Sequence, residues 1–146
     1  MQRCFFVLLL ILLAASNASA DPKDLIGAWR LKSFVREVAG TGERYDQLGP
    51  HPDGVLTYSE DGRVYVLFTA GGRKAPAGMP ATDAEAAQLF RTMLAYAGHY
   101  RADDARVIHT IEVAWDGARI GEDQVQFYTI EGDRLILRTT LICGRH

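Results

Sequence analysis

The stretch RVIHTIEVAWDGARIGEDQVQFYTIEGDRLILR, residues 106–138, decides the fold class. Apolar and polar residues alternate over residues 106–115, again over 122–130, and again from 134 to 141. Between these runs lie residues 116–121 and Glu131-Gly132-Asp133, which are rich in turn formers. Period two over runs of this length predicts half-buried strands, and tight turns between them predict an antiparallel meander. Upstream, residues 99–101 join the meander across Ala102-Asp103-Asp104-Ala105. Further back, residues 55–59 and 63–69 flank Glu60-Asp61-Gly62, and Asp61-Gly62 read as a two-residue turn sets Tyr58 opposite Tyr65 and Leu56 opposite Leu67. Residues 25–38 alternate as one long strand, Gly40-Thr41-Gly42 turns the chain, and residues 43–46 suit a short return strand.

One segment breaks the pattern. Residues 70–81 carry Gly71, Gly72, Pro76, Gly78 and Pro80, a long flexible connection. Thr82-x-x-Glu85 then forms a capping box, and Ala86, Leu89, Phe90, Met93, Leu94 and Ala97 recur at helical spacing up to Gly98. The expectation is an amphipathic helix with one buried stripe. The fold class is therefore all-β with seven or eight strands and one mid-chain helix. Without β-α-β alternation, a doubly wound sheet or a TIM barrel is excluded. A curved meander of this size removes its edges by closing into an up-and-down barrel, which can hold one small ligand.

The chain has 146 residues, with 16 Lys+Arg against 18 Asp+Glu and a net charge of −2. That length suits one domain, taken as residues 21–146. Residues 1–20 read as a secretory signal: Arg3 is the basic start, residues 5–15 are the apolar run, and Ala18-Ser19-Ala20 is the cleavage site. A secreted or periplasmic protein is expected, with no stable membrane span after cleavage. A mildly acidic chain without basic blocks argues against nucleic acid as the partner. Cys4 leaves with the signal and Cys143 stands alone, so no internal disulfide is expected. The sequence has no G-x-S-x-G, C-x-x-C, H-E-x-x-H or P-loop motif, and neither cofactor nor metal is expected.

Several stretches together resemble a known family. They are Leu25-Ile26-Gly27-Ala28-Trp29-Arg30-Leu31 with Ser33-Phe34; LGPHPDGVLTYSEDGR at 48–63; Tyr96-Ala97-Gly98-His99-Tyr100; His109-Thr110-Ile111-Glu112-Val113; and GEDQVQF at 121–127 running to Gly132-Asp133-Arg134-Leu135. In that order they resemble the lipocalin-like domain of small bacterial and fungal proteins. The resemblance implies a lipocalin-like or allene-oxide-cyclase-like antiparallel barrel with a lumen for a small apolar molecule, and no settled activity. Family members continue past the threonine-rich strand into a closing strand ending in a Leu-Val-Trp-Glu-Arg type run, where this chain has Cys143-Gly144-Arg145-His146. The expectation is a barrel incompletely closed at its C-terminus, with an open edge that pairs with a second copy or another partner strand.

Candidate site residues follow from parity. If residues 103–105 form a three-residue loop, His99 stands opposite His109 with Cβ atoms about 5 Å apart. His109 shares its parity with Val107, Ile111, Val113 and Trp115, an apolar set expected to face inward. Two facing imidazoles suit acid and base roles in a metal-independent isomerisation or cyclisation. A one-residue change in the loop puts them on opposite faces. Trp29, Tyr58, Tyr65, Tyr96, Tyr100, Trp115 and Tyr128 supply flat apolar bodies with polar tips, and Gln124 and Gln126 add amides. Of these, Trp29, Tyr58, Tyr65, Tyr100, Trp115 and Gln124, with His109, are the expected ligand contacts. Binding of a small hydrophobic molecule is the leading expectation, ahead of the isomerase or cyclase and an edge-strand interaction module. Intact-mass measurement of exported protein is expected to give a chain starting at Asp21, and Met1 retained in a membrane fraction would contradict the signal reading.

Overall fold

The computed structural model describes residues 21–38 and 41–139, so the signal segment, Cys143 and the chain end lie outside the described residues. A 3-10 turn at Pro22–Leu25 leads into nine strands: β1 Gly27–Arg30, β2 Val35–Glu37, β3 Arg44–Asp46, β4 Asp53–Tyr58, β5 Arg63–Thr69, β6 Met93–Ala102, β7 Arg106–Ala114, β8 Asp123–Glu131 and β9 Arg134–Arg138. One helix, α1, spans Asp83–Arg91 between β5 and β6. Seven strands form a sheet in the order β1-β4-β5-β6-β7-β8-β9, with β2 and β3 as a separate ribbon. All pairs are antiparallel. The sheet curls into a nearly closed barrel, and among the described residues β1 and β9 do not pair, which leaves an unsealed seam.

The long strand expected over residues 25–38 is divided. Asp21 caps the first turn by accepting the Lys23 N–H at 2.9 Å, and Pro22 starts it, so extended structure begins only at Gly27. Past Arg30 the chain leaves the sheet to form β2, which pairs with β3. Leu25, fully buried, packs into the barrel core from the 3-10 turn.

Two hairpin loops differ from expectation by one residue each, and each difference turns a strand over. At the β4–β5 connection Gly62 N–H donates to the Ser59 carbonyl at 3.0 Å, and Gly62 takes φ 80°. This is a three-residue loop with a glycine bulge rather than a two-residue turn. Tyr58 therefore faces Val64, and Tyr65 faces Thr57. Val64 and Val66 are buried, while Tyr65 and Leu67 stand on the outer face. At the β6–β7 connection the Asp103 carboxylate accepts the N–H groups of Ala105 and Arg106, and Asp103 N–H donates to the Arg106 carbonyl at 2.9 Å. Only Asp104 and Ala105 remain in the loop, so His109 pairs with Tyr100 and His99 with Thr110. The expected facing histidine pair does not form.

A bulge shifts β7 once more. Ala97 pairs with Val113 but Gly98 with Ile111, which leaves Glu112 as the extra residue. Val113 is consequently 65% exposed rather than inward, and Ala114 resumes the inner row. Gly98 permits this close approach, because a Cβ there would run into the Thr110 carbonyl and lie 3.2 Å from Glu112 N.

The capping box of α1 is present, with Thr82 and Glu85 bonded reciprocally. The helix nevertheless stops at Arg91, and Met93 to Ala97 pair with β5 from Thr69 to Tyr65. Helical spacing there yields to the strand alternation Leu94, Tyr96, Gly98, Tyr100, since the ladder satisfies the backbone and buries Tyr96. No residue of α1 is buried, so the expected stripe is absent. Phe90 instead lies against Trp115 with ring centroids 6.0 Å apart.

Gly98→Ala is expected to lower stability by about 2 kcal/mol or more through backbone overpacking at the bulge. Gly117→Ala, at a position with open space and no left-handed φ, is expected to be close to neutral. Urea denaturation of the two variants checks the contrast.

Candidate functional site

The interior carries a line of polar side chains from four strands. His109 on β7 is fully buried, with Nε2 2.7 Å from the Tyr58 hydroxyl of β4 and Nδ1 2.7 Å from the Tyr96 hydroxyl of β6. Gln126 on β8 bonds to Tyr96, and its other amide terminus, Oε1, is buried without a partner. Burial pulls the His109 pKa down to about 4, so at neutral pH the ring is uncharged, with one nitrogen donating and one accepting. Burial likewise pushes the Tyr58 and Tyr96 phenols well above their ordinary range, which keeps both protonated.

Arg119 completes the line from the β7–β8 connection. Its Nη2 donates to Gln124 Oε1 at 3.0 Å, and its guanidinium carbon lies 5.8 Å from the centre of the Tyr96 ring. Asp116 caps the short 3-10 turn at Gly117–Arg119 and so aims Arg119 at the barrel interior. Nothing in the alternation of the flanking strands marks this arginine, because its reach depends on how the connection bends. Tyr96 was obscured by the helical spacing of residues 86–97; read at period two it falls beside Leu94 and Tyr100.

The expected site residues divide three ways. Tyr58, His109 and Gln124 belong to the interior line. Trp29 and Tyr100 are half-buried core members: the Trp29 indole donates to the Leu25 carbonyl at 2.8 Å and the Tyr100 hydroxyl to the Ser59 carbonyl at 3.1 Å. Tyr65 lies on the outer face, and Trp115 donates to the Phe90 carbonyl at 3.3 Å beside α1. His99 is also outside, where its Nδ1 meets Glu112 at 2.7 Å and Arg63 donates to Nε2 at 3.0 Å. With Arg63 also 2.8 Å from Glu112, both ring nitrogens of His99 are engaged.

Two recesses lie outside the lumen. One of about 640 Å³ runs between residues 70–77 and α1, and one of about 510 Å³ lies over Asp53, Val55 and Leu67. Arg73 donates to the Leu89 carbonyl and Ala77 N–H to Glu85, which ties the Gly/Pro-rich connection to the helix.

An antiparallel up-and-down barrel with a mixed polar and apolar interior defines a lipocalin-type domain. The chain belongs to the lipocalin-like domain family, whose model matches residues 26–145. No curated protein matches it. Among solved structures, the Cpx pathway activator NlpE from Escherichia coli is similar at 15% identity and a TM-score of 0.38, covering 82% of this chain and 51% of that one. The present chain thus spans about half the length of that structure.

Because His109 is neutral when folded and titrates near its ordinary value of 6.5 when unfolded, the unfolded state binds the extra proton between those pH values. Stability is complete above pH 6.5 and falls toward pH 4. A loss of about 2 kcal/mol between pH 7 and 4.5 is expected. The carboxylates held low, such as Asp103 and Asp123, lose their contribution only at lower pH. Urea titrations at stepped pH on the native chain and on His109→Gln check this: the slope above pH 4.5 is expected to vanish in the variant.

Proposed function

We propose that this domain binds a small hydrophobic molecule in the part of the lumen nearest α1. The observation that carries the reading is a change of burial along the inner face. At the waist Leu56, Val66, Tyr96 and Ile111 are buried, whereas Phe68, Leu94 and Ala114, also inward, are only partly covered. Phe68 and Leu94 are direct cross-strand partners, so they present one continuous apolar wall. At the other end Leu25, Tyr58, Val64 and Val107 are buried, with Tyr100 and Ala102 partly covered beside them.

Covering about 400 Å² of apolar surface yields roughly 10 kcal/mol before ordering costs, against the about 8 kcal/mol net that micromolar binding needs. Export to the periplasm or beyond belongs to the same reading and rests on residues 1–20. Among the described residues no helix is long and apolar enough to cross a membrane. The acid–base alternative loses its geometric support, since His99 and His109 occupy opposite faces. The edges of β1 and β9, unpaired among the described residues, favour a second reading, strand pairing with another copy of the chain, for which light scattering is expected to give twice the monomer mass.

A panel of fatty acids, terpenoids and aromatic polyketides tests the binding reading. At least one compound is expected to raise the melting temperature and to change Trp29 emission in a Trp115→Phe background, because Trp29 packs on the core while Trp115 lies outside. Ala114→Phe, which fills the lumen, is expected to abolish both responses. If no compound shifts either signal in the native chain, the reading fails.

A further inference from the structure

The proton arrangement of the interior line points beyond a purely apolar ligand. His109 has one donor and one acceptor to share between Tyr58 and Tyr96. In one arrangement the Gln126 amide N–H donates to Tyr96, Tyr96 donates to Nδ1, and the Nε2 proton goes to Tyr58. That arrangement strands the Tyr58 proton, because His109 is the hydrogen-bond partner of that hydroxyl among the described residues, and it strands Gln126 Oε1 as well. In the other, Tyr58 donates to Nε2, the Nδ1 proton goes to Tyr96, and Tyr96 donates to Gln126 Oε1 once the amide is turned by half a revolution. Every oxygen and proton of the line is then used except the amide NH2 of Gln126.

The second arrangement has a direction. All donors run from Tyr58 through His109 and Tyr96, and the line ends on the unpaired NH2 group of Gln126, a residue only 6% exposed. Arg119 shares the ring of Tyr96 with it: Gln126 meets the hydroxyl and the guanidinium lies over the face. The Arg119 side chain is only 19% exposed, yet its charged partner Glu122 is 55% exposed and touches it at a long 3.3 Å through Nε. Its remaining contact, Gln124 Oε1, is neutral. A mostly desolvated cation whose one charged acceptor, the exposed Glu122, reaches it only through Nε keeps capacity for a second anionic partner.

We propose that the ligand is a carboxylate-bearing amphipath, its carboxylate held by Arg119 and the Gln126 amide and its apolar body against Phe68 and Leu94. This inference rests on the binding reading above and adds the anionic group. A carboxylate fits because the planar guanidinium can present two parallel N–H groups to it, and because Glu122 engages only Nε.

The test compares a long-chain fatty acid with its methyl ester, which has the same tail and no charge. Affinities for the full chain are measured by calorimetry above the pKa of the free acid and below its aggregation limit. The acid is expected to bind at least about tenfold more tightly than the ester, the size of one charge-assisted hydrogen bond. Arg119→Met, which keeps the stem, is expected to bring the acid down to the affinity of the ester and leave the ester unchanged. Arg119→Lys is expected to keep part of the preference and guards against misreading a folding defect, as does the unchanged ester affinity. Equal binding of acid and ester to the native chain overturns the carboxylate while leaving the binding reading intact. A preference for the acid that survives Arg119→Met overturns the assignment to this residue. Binding of neither overturns both.

Discussion

His109 ties β4 to β6 and β7, strands that β4 does not neighbour in the sheet. Tyr58 comes from β4 and Tyr96 from β6, with β5 between them in the sheet, and His109 bonds to both from β7. Such bonds cross the lumen rather than running along the ladder, so they act on the curvature of the sheet. A flat sheet would carry these three side chains apart. The two tyrosine rings also pack edge-on or tilted against the imidazole, at centroid separations of 5.4 and 5.8 Å. Because the line is buried, an unmade bond costs more than a made one contributes. The interior accordingly selects one register for β4, β6 and β7, and the barrel shape follows from that selection.

Register is also where reading from the sequence ran short. Alternation over residues 106–138 was enough to name strands, their antiparallel order and the barrel. It was not enough to say which parity faced inward across a hairpin, since that depends on loop length to the single residue. Gly62 as a bulge and Asp103 as a cap on Arg106 are each consistent with a loop one residue longer or shorter, and the choice is made by the packing of Val64 and His109. The bulge at Glu112 had no local signature beyond Gly98 on the facing strand. Tyr58 and His109 face inward as the alternation of their own strands implies. Tyr65 and His99 were misplaced because they were inferred from a partner.

The outer face shows what His99 does instead. Arg63, His99 and Glu112 form a closed triangle of contacts over β5, β6 and β7 beside the bulge. His99 and Glu112 are well exposed there, so the cluster contributes little to stability by charge alone. Its effect is positional: Glu112, expelled from the ladder, is held against β6 and, across it, β5 rather than left to solvent. The capping-box helix serves a comparable purpose at the barrel end. With no buried residue of its own, α1 is anchored by Phe90 on Trp115 and by the connection through Arg73 and Glu85.

The division of the interior into a filled part and a partly covered part follows from the same buried line. A barrel selected only for stability gains more from apolar side chains of equal volume than from an imidazole, two phenols and an amide, each of which needs a partner in a dry interior. Here the polar groups are joined in one line from Tyr58 through His109 and Tyr96 to Gln126, with the Arg119 guanidinium over the Tyr96 ring, and the unpaired atom is on Gln126, the last member. A filler has no reason to keep such a defect. Polar order that ends on an unsatisfied group makes sense when something outside the chain completes it.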